Sequence, residues 1–155
     1  MVGGRRGDPS DDDGLARPGF ARIMTRATRP SRCPCSSGLT YEECCGPFHA
    51  GASAPTAEAL MRSRFSAFAV GDAEHLLRTW HPSTRPTDLV LDPGTRWYRL
   101  DVLRTDRGRL LDDDGVVEFR AFHRSPDGSG TLHEVSRFVR SGRQWLYVDG
   151  DVGTS

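Results

Sequence analysis

The stretch VVEFRAFHRSPDGSGTLHEVSRFVRSGRQWLYVDG, residues 116–150, decides the fold. It holds three runs rich in β-branched and aromatic residues, 116–124, 132–140 and 144–149, in which apolar and polar side chains alternate. SPDGSG (125–130) and SG (141–142) separate the runs with turn residues, so the spacing predicts consecutive antiparallel hairpins. Upstream, another alternating run at 97–104 precedes DDDG (112–115), which adds one more strand to the meander. A sheet this small has one apolar face to hide. The cover lies further upstream. Leu60, Met61, Phe65, Phe68 and Ala69 recur at helical spacing over 57–70 and stop at Gly71, and Asp72 caps a second helix over 73–80 that Pro82 ends. Helices followed by a meander make the fold class α+β.

Ahead of the helices, GASAPT (51–56) reads as a linker, and residues 32–50 hold all four cysteines. The cysteine segment therefore reads as a module with its own small core. Residues 1–31 are rich in Gly, Pro, Arg and Asp without periodicity, which predicts a disordered tail. The organisation is tail 1–31, cysteine module 32–50 and main domain 56–151.

The cysteines are spaced C-x-C, eight residues, then C-C: Cys33, Cys35, Cys44 and Cys45. Two close pairs joined by a Ser36-Ser37-Gly38 turn supply the four soft ligands of a closed tetrahedral site, which is structural chemistry. Zn2+ is the first choice of metal and iron the second, because the spacing is unlike that of ferredoxins. A vicinal disulfide between Cys44 and Cys45 is disfavoured by strain. His49 is an alternative fourth ligand, or a surface histidine at the edge of the module.

The chain carries 21 basic and 21 acidic residues, and every basic one is Arg. This balance gives no general attraction to nucleic acid or to an anionic membrane. The RRG at 5–7 is diluted by Asp8 and Asp11 to Asp13. No run has the apolar length of a membrane span, and the N-terminus has no signal-like core, so the expected compartment is the cytoplasm.

CPCSSGLTYEECCGPFH (33–49) resembles the SEC-C motif found at the tail of the SecA translocation ATPase and in small bacterial proteins. LMRSRFSAF (60–68), TWHPSTRP (79–86), VEFRAF (117–122) and HEVSRFVRSGRQWLYVDG (133–150) are similar to the YchJ-like family. The resemblance implies a nuclear-transport-factor-2-like cone, with helices packed on a bent antiparallel sheet. It also implies an adaptor that meets a protein or ribosome partner of translation or protein export through its zinc module. That fold hosts enzymes and binding proteins alike, so the activity must be argued from the site.

A cone leaves a cavity that can take a small ligand. The polar candidates are Arg62, Arg64, His81, Glu118, Arg120, His133, Glu134, Ser136 and Arg137. Strand alternation puts Glu134 and Ser136 on one face with Leu132 and Phe138, and His133 and Arg137 on the other. If the first face points inward, Glu134 is an acid or base in an apolar enclosure, with His81 or Arg64 as partner. The alternative function is then a lyase, isomerase or hydrolase acting on a small molecule. In the structural reading, Glu134 forms an ion pair with an arginine across the sheet. Trp80, Trp97 and Trp145 each lie in apolar runs and read as core.

Overall fold

A computed structural model describes residues 32–153. The tail at 1–31 lies outside the described residues. The chain enters through a bridge between Arg32 and Thr40, a short 3-10 turn (Tyr41–Glu43) and α1 (Gly46–His49). Two helices follow, α2 (Ala57–Val70) and α3 (Ala73–Arg78), and then four strands. These are β1 (Arg96–Arg107), β2 (Asp114–Ser125), β3 (Gly128–Ser141) and β4 (Gln144–Val152). They form one antiparallel sheet in chain order. No helix among the described residues is long and apolar enough to cross a membrane.

Local chemistry sets the helix ends. The Thr56 hydroxyl accepts the Ala59 amide at 3.0 Å, and α2 stops where Gly71 adopts a left-handed φ of 83°. The Asp72 carboxylate accepts the His75 amide and starts α3. The second helix is shorter than its pattern predicts, ending at Arg78 instead of 80. Trp80 has left the helix and pairs with Tyr147 of β4 as an isolated parallel bridge. A chain that must reach the sheet edge exchanges its last helical hydrogen bonds for sheet ones.

The strands pair as consecutive antiparallel hairpins, as expected, and are longer than their patterns. Phe119 faces Glu134, Val117 faces Ser136 and Ser136 faces Gly150. Register shifts at Trp97/Arg99 and Val102/Arg104 on β1, and at Arg137/Phe138 against β4, mark the bulges that bend the sheet. The concave face carries Leu100, Val117, Phe119, Ala121 and Phe138, on which α2 lays Leu60, Met61 and Phe65. The convex face carries an ionic ladder: Glu118 with His133 (2.7 Å) and Arg104 (3.2 Å), and Arg137 with Asp149 (2.6 Å) and Asp151 (3.2 Å).

The cysteine segment is not a separate core. Cys33, Cys35 and Cys45 are buried in the same cluster as Leu60, Phe65 and Leu100. The Ser36 hydroxyl accepts the Leu100 amide at 3.2 Å, and the Arg62 guanidinium donates to the Cys35 carbonyl at 3.0 Å. Trp145, 1% exposed, donates its indole N–H to the Pro55 carbonyl at 3.2 Å. GASAPT is thus pinned to the sheet. Its residue types suit a linker, but Ala54 and Ala57 are small enough to be buried against the core, so the segment is packed instead of free.

Candidate metal centre and cone cavity

The turn from Cys33 to Thr40 folds back on itself. Cys33 donates its amide to the Leu39 carbonyl, and Ser36 (φ 69°) and Gly38 (φ 91°) take left-handed conformations. Thr40 and Glu43 form a reciprocal capping box that begins the next turn and delivers Cys44 and Cys45 to the same point. The four Sγ atoms all lie within 4.8 Å of one another. Cys35 to Cys44 is 3.6 Å, and Cys44 to Cys45 is 3.9 Å. A tetrahedral ion with metal–sulfur bonds of about 2.3 Å sets its sulfurs about 3.8 Å apart, so the donor set fits a metal ion. Four soft donors would complete the coordination shell of such an ion and leave no open position, which is the donor set of a structural centre.

The thiols hold their protons unequally. Hydrogen bonds from Cys35 and Cys45 pull the Cys33 thiol well below the ordinary range, with Ser66 and the Cys35 amide adding to the effect. Burial pushes the Cys44 thiol up to about 11. Arg62, kept charged by Glu58, stands beside the cluster.

His49 is neither a ligand nor a surface residue. Its Nδ1 is hydrogen-bonded to the Tyr41 hydroxyl at 2.6 Å, with the Asp72 carboxylate 3.9 Å away, and its Nε2 donates to the Ser63 carbonyl at 2.8 Å. Its ring lies 4.6 Å from that of His75. His75 is buried behind it. The Ser63 hydroxyl donates to the Leu60 carbonyl, so His75 Nε2 must donate to Ser63 Oγ, and His75 Nδ1 accepts from Arg78. His75 is therefore the neutral Nε2–H tautomer.

Burial, helped by the neighbouring His49, Arg78 and Arg64 and opposed by Asp72, pushes His75 down to about 3. The folded value lies below the ordinary 6.5, so the folded chain binds fewer protons than the unfolded one between these values. This contribution to stability is full above about pH 6.5 and falls as the pH drops toward 3, by at most about 1.4 kcal/mol per unit. Denaturant titrations from pH 7 to 4.5 should show this loss, and His75→Gln should flatten the slope relative to the parent. An unchanged slope in the variant would assign the acid sensitivity to groups other than His75.

A cavity of about 290 Å³ lies between α2 and the sheet. Apolar walls come from Phe65, Phe68, Trp97, Phe119 and Leu132. Glu134, Ser136, Tyr147 and Arg64 supply the polar groups, with Trp80 beside them. Glu134 Oε2 accepts from Ser136 (2.7 Å) and from the Tyr147 hydroxyl (3.1 Å). No arginine crosses the sheet to it, because the inward face of the neighbouring strand offers Phe119 at that register.

Arg64 is 3% exposed. Its Nη1 donates to the Leu76 carbonyl and to Thr79 Oγ1, both at 2.8 Å, and its guanidinium lies 4.5 Å from the Tyr147 ring and 5.0 Å from the Trp80 ring. Burial lowers it to about 10, still charged at neutral pH.

The structure thus brings Glu134 and Arg64 to one cavity. His81 is not with them: its Nδ1 is bonded to Ser83 at 2.8 Å, since the chain turns just after the Trp80 bridge. Arg62 points to the metal turn, and Glu118, His133 and Arg137 are on the convex face. Trp145 is core, whereas Trp80 and Trp97 line the cavity. Tyr147 is the residue that sequence reasoning missed. Its signal was the alternation of Trp145 and Tyr147 on one face of β4. Gly150 supports it: a Cβ there would lie 2.0 Å from Glu134 Oε2, so a larger residue would push the carboxylate from its place across the strand.

A profile described as "YchJ, middle NTF2-like domain" matches residues 56–150, and the SEC-C motif matches residues 29–47. A UPF0225 protein of Streptomyces coelicolor is 56% identical over 120 residues, covering 77% of this chain and 94% of the relative. A UPF0225 protein of Corynebacterium glutamicum is 54% identical over 122 residues, covering 78% and 97%. The solution structure of a SEC-C motif containing protein from Rhodopseudomonas palustris is similar at TM-score 0.68 and 32% identity, covering 79% of this chain and 98% of that one. A crystal structure of a SEC-C motif containing protein from Psychrobacter arcticus is similar at TM-score 0.64 and 32% identity, covering 79% and 83%. With a SEC-C motif leading into an NTF2-like domain built on this sheet, the chain belongs to the YchJ-like UPF0225 family.

Proposed function

We propose that this protein is a zinc-stapled domain whose working site is the cone cavity, where it binds a small organic molecule. The observation that carries this reading is the placing of Glu134, Tyr147, Ser136 and Arg64 in an otherwise apolar enclosure of about 290 Å³, at the lower end of the range for small-molecule sites. A domain needing only a packed core has no use for a carboxylate there, since an apolar side chain of similar volume is cheaper to bury. The zinc, closed in by four thiolates, fastens the first turn to α2 and so fixes the helix that carries Met61, Arg64, Phe65 and Phe68 to the cavity. Acid–base chemistry at Glu134 is the route by which such a site becomes an enzyme.

The adaptor role has its own surface. The turn at residues 36–39 faces outward with Leu39 half exposed, beside the partly exposed Cys44. Two substitutions separate the readings. Glu134→Gln keeps the volume and removes the charge, so it should change the binding of apolar and polar fragments screened by ligand-observed NMR while leaving protein capture from a lysate intact. Cys44→Ser opens the metal site and should do the reverse if the turn is the docking face. Fragment binding that is indifferent to Glu134→Gln, together with capture lost in Cys44→Ser, would reject the cavity reading in favour of the adaptor.

A further inference from the structure

The two charges in the cavity are unpaired in complementary ways. Among the described residues neither Arg64 nor Glu134 takes part in an ion pair. Arg64 spends only Nη1 on hydrogen bonds, leaving the N–H groups of Nε and Nη2 uncommitted. The indole N–H of Trp80, whose ring stacks on the same guanidinium, is buried without an acceptor. One end of the cavity therefore offers donors and a positive charge. At the other end, Glu134 uses Oε2 for both Ser136 and Tyr147, and among the described residues no donor reaches its Oε1. Tyr147 stands between the two ends, its ring against Arg64 and its hydroxyl on Glu134. The buried Trp80 N–H, which costs about 1–3 kcal/mol without an acceptor, and the free edges of Arg64 and Glu134 beside it leave the site poised for a molecule that supplies the missing partners.

A simple anion satisfies Arg64 and meets repulsion from Glu134. A simple cation does the opposite. We infer that the cavity takes a small zwitterionic amino acid with a large apolar or aromatic side chain: its carboxylate on Arg64 and Trp80, its ammonium on Glu134, and its side chain among Phe65, Phe68, Trp97 and Phe119. This rests on the reading of the cavity as the working site. The aromatic wall suits a flat body, since Phe65 and Phe68 both meet Trp97 at tilted or edge-on angles, with centroids 6.2 and 6.1 Å away.

The test uses the zinc-loaded chain and four probes followed by amide shifts and calorimetry. These are L-phenylalanine, 3-phenylpropionate (no ammonium), 2-phenylethylamine (no carboxylate) and toluene (neither group). L-phenylalanine is expected to bind at least about tenfold tighter than either half-molecule, with shifts at residues 64, 80, 134 and 147. Glu134→Gln should erase its advantage over 3-phenylpropionate. Trp80→Phe, which removes only the N–H, should weaken both carboxylates and leave 2-phenylethylamine unchanged. Arg64→Lys keeps the charge and tests the guanidinium, so the inference does not depend on a variant that removes a buried cation. If 3-phenylpropionate binds as tightly as L-phenylalanine and Glu134→Gln strengthens it, the ligand is a plain carboxylate and the zwitterion is overturned while the cavity reading stands. If none of the four shifts a cavity residue at millimolar concentration, both fall.

Discussion

Stripping the metal will lower the midpoint of the whole domain's thermal transition by roughly 10 °C or more, not merely loosen its first turn. Protein purified without chelator should hold about one metal ion per chain, and prolonged chelation with reduced thiols should produce the shift. The reason is where the sulfurs lie. Cys33, Cys35 and Cys45 are 4%, 0% and 1% exposed and belong to the same core as Leu60, Met61, Phe65 and Leu100. Cys33 Sγ is 3.4 Å from the hydroxyl of Ser66 on α2, and Arg62 and Leu100 hold the turn by hydrogen bonds. Releasing the turn opens a face of that core. A loss of about 3 kcal/mol, ordinary for a cavity of this kind, corresponds to roughly 10 °C for a domain near this size. Cys35→Ser should reproduce the shift without chelator. A main transition that stays put while the metal leaves would mean that the cysteine turn is an appendage after all.

Trp145→Ala is expected to destabilise the chain by about 3–5 kcal/mol, the range for removing a fully buried large aromatic side chain. Its ring fills the core beneath β4, its N–H ties down the Pro55 carbonyl, and Arg140 stacks on it at 5.7 Å. Trp145→Phe keeps most of the ring and removes the hydrogen bond, so it should cost less, about 1–2 kcal/mol. Proteolysis then discriminates. The tryptophan is the anchor of residues 51–56, so cleavage there should rise in the phenylalanine variant before the sheet unfolds. Equal protection in both proteins would show that burial of Ala54 and Ala57 alone holds the segment.

Much of this architecture was readable as pattern. Helical spacing over 57–70 with Thr56 before it and Gly71 after it, and alternating strands separated by SPDGSG and SG, are local signals because caps, turns and the pleat act within a few residues. The four cysteines were legible for the same reason: a closed metal site made from one turn has its whole ligand set in one short stretch. Alternation also put Glu134 and Ser136 on the face of Leu132 and Phe138. What lay beyond the pattern depends on residues far apart in the chain. Whether the cysteine turn stood alone was decided by Ser36 meeting Leu100 and Arg62 meeting Cys35, and whether GASAPT hung free was decided by Trp145. Glu134 found Tyr147 instead of an arginine because a bulge on β4 set the register, and His81 was lost to a local turn that the bridge at Trp80 begins. Hydrogen bonds across 27, 64 and 90 residues carry no trace in local periodicity, and only the closed sheet with its helix in place brings their partners within reach.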